Sequence, residues 1–142
     1  MLYDTNNVFA KILRGELPSI KVYEDASTLA FMDVMPQTDG HVLIIPKERA
    51  VDMLDLSPDG ARFLITTTQK IARAVKRATG APGIMLAQLN GVASGQTVFH
   101  VHFHVIPRYI GLEMKLHARQ MEDPEKLKGI AEKIKAALNS DD

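Results

Sequence analysis

The stretch TVFHVHFHVIPR (97–108) sets His100, His102 and His104 at alternate positions, with Val101, Phe103 and Val105 between and after them. Three of the chain's five histidines fall here. A strand turns successive side chains to opposite faces, so the imidazoles share one face and the apolar residues point to the core. Neighbouring positions in the row lie roughly 6.6 Å apart and the outer pair roughly 13 Å. Three chemistries are open to such a row. Adjacent rings could share a metal ion, His100, His102 and His41 being one ligand set and His117 or carboxylates another source, since the chain has no Cys. The rings could be a polar sheet face and nothing more. Or one imidazole could fix the tautomer of the next and leave a ring nitrogen free to attack, as nucleophilic catalysis requires. Strict alternation favours the last. Phosphorus is a suitable target, because a histidine nucleophile forms a phosphoramidate that water later cleaves.

The elements that must position this row are legible on either side. NNVFAKILRGELP reads as a short helix ending at Gly15 to Pro18. IKVYED and STLAFMDV read as a hairpin, and PQTDG as turn chemistry. HVLIIPK, nearly all apolar, reads as a central strand covered on both faces. Ser57, Pro58 and Gly80 are a cap, a first helical residue and a stop for one long helix, with Leu64, Ile65, Thr68, Ile71, Ala72, Val75 and Ala78 as its stripe. GIMLAQLN is a strand and NGVASGQT a glycine-containing loop able to turn backbone N–H groups toward an anion, or simply to close a hairpin. A helix over about 123–138 closes the chain, capped by Asp123, with Leu127, Ile130, Ile134 and Leu138 on one face. The expectation is one α+β domain over 1–142: an antiparallel five-stranded sheet with helices packed on one face.

Lys and Arg (17) balance Asp and Glu (17), so no global field invites nucleic acid or an anionic membrane. No apolar run approaches the roughly 20 residues of a membrane helix. The first residues carry Asp4 and no basic-then-apolar pattern, which is unlike a secretory signal. A cytoplasmic location is the simplest expectation.

HVHFHV (100–105) resembles the signature of the histidine triad (HIT) superfamily, and the segments 15–47 and 90–108 are similar to the two halves of its domain. The resemblance, closest to bacterial Hint-like proteins, implies a homodimer that hydrolyses nucleotidyl bonds at the α-phosphate without a cofactor. His102 would be the nucleophile, His100 would orient it, and His104 would contact the α-phosphate or help the leaving group. Gly95, Gln96, Thr97 and Asn90 would lie by the phosphate, and His41 would support His100. Val8, Phe9, Ile12, Phe31 and Val34 would hold a purine nucleoside, and Asp33, taken as an exposed carboxylate, would take its ribose hydroxyls. By spacing alone, Val8, Phe9 and Ile12 are ordinary core residues and His41 is as well read as a core histidine. Asn7 and Ala10 stand where many bacterial relatives carry the Cys-x-x-Cys of a structural zinc site, so no metal is expected. The segment after the triad, IPRYIGLEMKLHARQ, lacks the tryptophan of Hint phosphoramidases, while HVIPR is closer to bacterial HIT proteins and the fragile-histidine-triad branch. These departures leave the leaving group open; a nucleoside phosphoramidase is the favoured reading, with a dinucleoside polyphosphate hydrolase or a non-catalytic nucleotide-binding module as alternatives.

Overall fold

The computed structural model describes residues 1–114 and 120–140, so His117 lies outside the described residues. Five strands form one sheet in the order β1-β2-β3-β5-β4, every pair antiparallel: β1 Lys21–Glu24, β2 Thr28–Met32, β3 Val42–Pro46, β4 Gly83–Ala87 and β5 Phe103–Arg108. The β1–β2 turn is tied by Asp25, whose Oδ1 accepts from the N–H groups of Ser27 and Thr28 and from the Thr28 hydroxyl. β3 is buried at all five positions, as a strand covered on both faces must be.

Helix α2 (Pro58–Thr79) begins on Ser57, whose hydroxyl accepts the Gly60 N–H, and ends on Gly80 in the left-handed region at φ +70°. Helix α3 (Pro124–Ser140) packs on α2 and β1. Both long helices cover one face of the sheet. Ala30, Met32, Val42, Ile44, Val101 and Val105 point into that layer, where Leu64, Ile71, Leu127 and Ile134 meet them. Of the expected α2 stripe, Ile65 falls on the exposed flank at 46 % exposure. Among the described residues, no helix is long and apolar enough to cross a membrane.

The other face departs from the expectation of helices on one side only. The short helix α1 (Val8–Leu13), capped by Asn7, packs there, with Phe9 joining Leu29, Phe31, Leu43 and Ile45. This second, smaller apolar layer is the one that carries the histidines, because His104 pairs with Leu43 across β3 and β5. The ladder of β5 starts only at Phe103. His100 and His102 sit in the lead-in, where Val101 N–H donates to the Ala50 carbonyl instead of to a neighbouring strand.

Candidate active site

The hydrogen bonds around the row decide every tautomer in it. His100 Nε2 lies 2.8 Å from the Pro46 carbonyl, which can only accept, so Nε2 carries the proton and Nδ1 is a lone pair. That lone pair faces the Tyr3 hydroxyl at 2.6 Å, and Tyr3 is therefore the donor. His102 Nδ1 lies 2.7 Å from the carbonyl of His100. Its proton is likewise on Nδ1, which leaves His102 Nε2 as a bare lone pair. His41 Nδ1 accepts the Gln37 backbone N–H at 3.0 Å, so the His41 proton is on Nε2. His41 Nε2 then donates across 3.0 Å to His104 Nδ1, and His104 keeps its proton on Nε2. The row thus sets a nucleophilic nitrogen on His102 beside a proton donor on His104, with ring centres 5.0 Å apart.

Burial keeps the rings neutral. His100 is wholly buried and held at about 4, the Pro46 bond acting against the burial. His41 is pushed down to about 3 by burial and then by His104 and His102, and His104 to about 4 by burial and His102. Burial also lowers His102, opposed by its bond to the His100 carbonyl. Neutral imidazoles at physiological pH are what the assigned hydrogen bonds require.

Several expected roles need correction. His41 supports His104, not His100, because the β3–β5 register runs Val42 against Val105 and brings residue 41 to the far end of the row. His100 is served by Tyr3 and Pro46 instead. Asp33 is not an exposed strand end. Its side chain is 18 % exposed, with Oδ2 3.4 Å from His41 Nε2 and Oδ1 accepting the Met35 N–H. Burial raises it to about 6, so it is mostly ionised at neutral pH and its neighbour is a neutral ring, not an ion-pair partner. Gln96 is buried with its amide turned into the loop. Nε2 donates to the Val51 and Val98 carbonyls and Oε1 accepts the Gly91 N–H, so both donors are taken and the residue braces the loop instead of reaching an anion. Asn90 is similarly engaged, accepting from Met53 N–H and pairing its amide with that of Gln88.

Gly95, at φ +101°, ends a short turn over Val92–Ser94, and Thr97 just beyond it is exposed. Phe9 lies edge-on to His102 with ring centres 4.9 Å apart, and Phe31 edge-on to Phe9 at 5.4 Å. Ile12 packs beside them, half-buried. Val8 and Val34 are 48 % and 42 % exposed, so neither is a core residue. Tyr3 and Gln37 were not foreseen. Tyr3 sits 97 residues from its partner and Gln37 acts through its backbone, so neither leaves a pattern in the sequence.

Asp33, His41 and His104 bring one ligand atom each to within 4.8 Å of one another. A cation bound at His41 Nε2 would have to displace the proton that the Gln37 N–H forces there, so this donor set suits a proton better than a metal. The triad set of His100, His102 and His41 fares no better, because both nitrogens of His100 are already bonded.

The HIT domain matches residues 14–111, which include the whole row. The chain belongs to the HIT family. The crystal structure of a Hit-like protein involved in cell-cycle regulation from Bartonella henselae superposes on this HIT protein with TM-score 0.90, at 48 % identity, over 96 % of this chain and 99 % of that one. An adenosine 5′-monophosphoramidase of Schizosaccharomyces pombe is 34 % identical over 92 % of this chain and 97 % of its own length. An adenylylsulfatase of Arabidopsis thaliana is 41 % identical over 71 % of this chain but 51 % of its own.

Proposed function

We propose that this HIT protein hydrolyses purine nucleoside phosphoramidates at the α-phosphate through a nucleotidyl-His102 intermediate. The observation that carries the reading is the 2.7 Å bond from His102 Nδ1–H to the His100 carbonyl, which leaves Nε2 unprotonated and neutral. Nε2 attacks phosphorus, and the bond from phosphorus to the amine nitrogen breaks. The departing nitrogen takes the proton of His104 Nε2, which the Gln37–His41–His104 relay supplies in the correct tautomer. Water then attacks the same phosphorus, its proton returns to His104, and His102 and the nucleoside monophosphate are released. Two relatives are named for substrates with an adenylyl or adenosine 5′-monophosphate group, which supports this substrate class.

Phe9, Phe31 and Ile12 form the apolar floor beside His102, with Val8 and Val34 as its rim, and the base rests there. Asp33, ionised and fixed by the Met35 N–H, receives the ribose hydroxyls. Gly95 and Thr97 bring backbone and hydroxyl toward the phosphate. The active unit is a homodimer joined through β4. Among the described residues the outer edge of β4 is unpaired in the sheet, Met85 and Leu86 are 37 % and 45 % exposed, and a depression of about 450 Å³ beside it is lined by Ile65, Ala72, Ile84 and Leu86 together with polar and basic residues of α2.

A trapping experiment tests the reaction. The protein is mixed briefly with an adenosine phosphoramidate or a diadenosine polyphosphate, quenched, and the intact chain weighed. A gain of one adenosine monophosphate mapping to His102, with faster turnover of the phosphoramidate, is the expected result. Faster turnover of the diadenosine compound would move the assignment to a polyphosphate hydrolase. Binding with neither adduct nor turnover, or a His102→Ala variant that still turns over, would remove the mechanism.

A further inference from the structure

The segment ahead of α1 lies outside the matched domain, yet it reaches into the row. Tyr3 is half-buried, with its ring edge-on to His100 at 5.6 Å and its hydroxyl 2.6 Å from Nδ1. It is held there by a short brace. Asp4 Oδ1 accepts the Asn6 N–H, the Asp4 carbonyl accepts from the N–H and the side chain of Asn7, and Arg14 donates to the Thr5 carbonyl. Asn7 in turn caps α1, so hydrogen bonds tie the segment to the helix that carries Phe9.

His100 is wholly buried and touches the reaction only through its backbone. Its ring is clamped between two fixed points, Pro46 O at Nε2 and Tyr3 Oη at Nδ1. A ring held at both nitrogens fixes the side-chain torsions and the peptide that follows, and it is this peptide's carbonyl that takes the His102 Nδ1 proton. Without the hydroxyl, Nδ1 becomes a buried acceptor with no donor, and the ring gains a reason to rotate.

We propose that Tyr3 is a positioning residue: its hydroxyl locks His100 so that the His100 carbonyl holds His102 in the tautomer that exposes Nε2. The catalytic consequence rests on the nucleophile assigned above. The structural link does not.

Tyr3→Phe keeps the ring contact and removes only the hydroxyl. In this variant kcat for an adenosine phosphoramidate falls by about 10- to 100-fold, because small misplacements of a reacting group have effects of that size, while KM changes by less than about 2-fold. Long-range proton–nitrogen correlation of the imidazoles, recorded without substrate, shows His102 as a single Nδ1–H tautomer in the parent protein and as a mixture in Tyr3→Phe. In a His100→Asn background, Tyr3→Phe has no further effect on kcat, since its route is gone. A Tyr3→Phe protein with parental kcat and an unchanged His102 pattern overturns the proposal, as does an equal loss in the His100→Asn background. Should that background not fold, the imidazole pattern of the single variant decides alone. Turnover surviving in His102→Ala would refute the nucleophile assignment and leave the imidazole pattern as the test of Tyr3.

Discussion

Acidification from about pH 7.5 to about pH 5 should remove several kcal/mol of stability, because the row is buried neutral. In the unfolded chain a histidine titrates at 6.5; in the fold, burial holds His41 at about 3 and His100 and His104 at about 4. A lowered folded value means that the stability these rings carry is present above 6.5 and drains as pH falls toward the folded values. At about pH 5 the unfolded chain binds a proton at each of the three while the fold binds almost none. Over about 1.5 pH units, at about 1.4 kcal/mol each, every ring withdraws about 2 kcal/mol and the three about 6. His102 shifts in the same direction and adds to this. Asp33 opposes it. Its folded value of about 6 lies above the ordinary 3.8, so the fold gains proton affinity below pH 6 and recovers about 1.4 kcal/mol by about pH 5. The net loss is at least about 4 to 5 kcal/mol, a large share of the roughly 5–15 kcal/mol of a folded domain. Urea melts at about pH 7.5, 6 and 5 and constant ionic strength would measure it. His41→Leu removes one of the three rings and should take about 2 kcal/mol, nearly half of that net loss, out of the pH dependence, while weakening the fold at every pH by leaving the Gln37 N–H unpaired. Stability at about pH 5 within about 1 kcal/mol of that at pH 7.5, or a His41→Leu slope equal to the parent's, would refute neutral burial of the row.

Gly40→Ala should destabilise by about 2 kcal/mol, since φ is +98° and the added Cβ would sit 2.8 Å from Thr79 Cγ2; a parental melting temperature would contradict this. Gln96→Leu strips three hydrogen bonds from the 90–98 loop and leaves Val51 O and Gly91 N–H unpaired, which should lower stability by about 2 to 4 kcal/mol in a urea melt and turnover with it. Leu86→Lys places a charge at the outer strand proposed to join the homodimer, and light scattering should find a dimer for the parent and a monomer for the variant; equal masses would remove β4 as the subunit contact.

Local rules were enough for the elements. Ser57, Pro58 and Gly80 bound α2 because an N-cap hydroxyl, a missing N–H and a left-handed stop act within one turn of the residue that supplies them. The apolar run of β3 announced burial on both faces, and the alternation of His100, His102 and His104 announced a shared face, since side-chain period is a local property of extended backbone. That face and the likeness to HIT proteins were already visible in HVHFHV.

The chemistry of the row was decided elsewhere. Its tautomers are set by the Pro46 and His100 carbonyls and the Gln37 N–H, backbone atoms that every residue carries and that no sequence pattern can mark. The partner of His41 follows from strand register, which matches residue 42 to residue 105 only when the sheet closes. Asp33 looks like a surface carboxylate until tertiary packing strips its water and puts His41 beside it. Tyr3 reaches His100 because the brace from Asp4 to Arg14 folds the segment ahead of α1 back over the row. Residue types named the reagents; the folded backbone assigned each proton to its nitrogen, through near neighbours at His102 and His41 and through distant partners at His100 and His104.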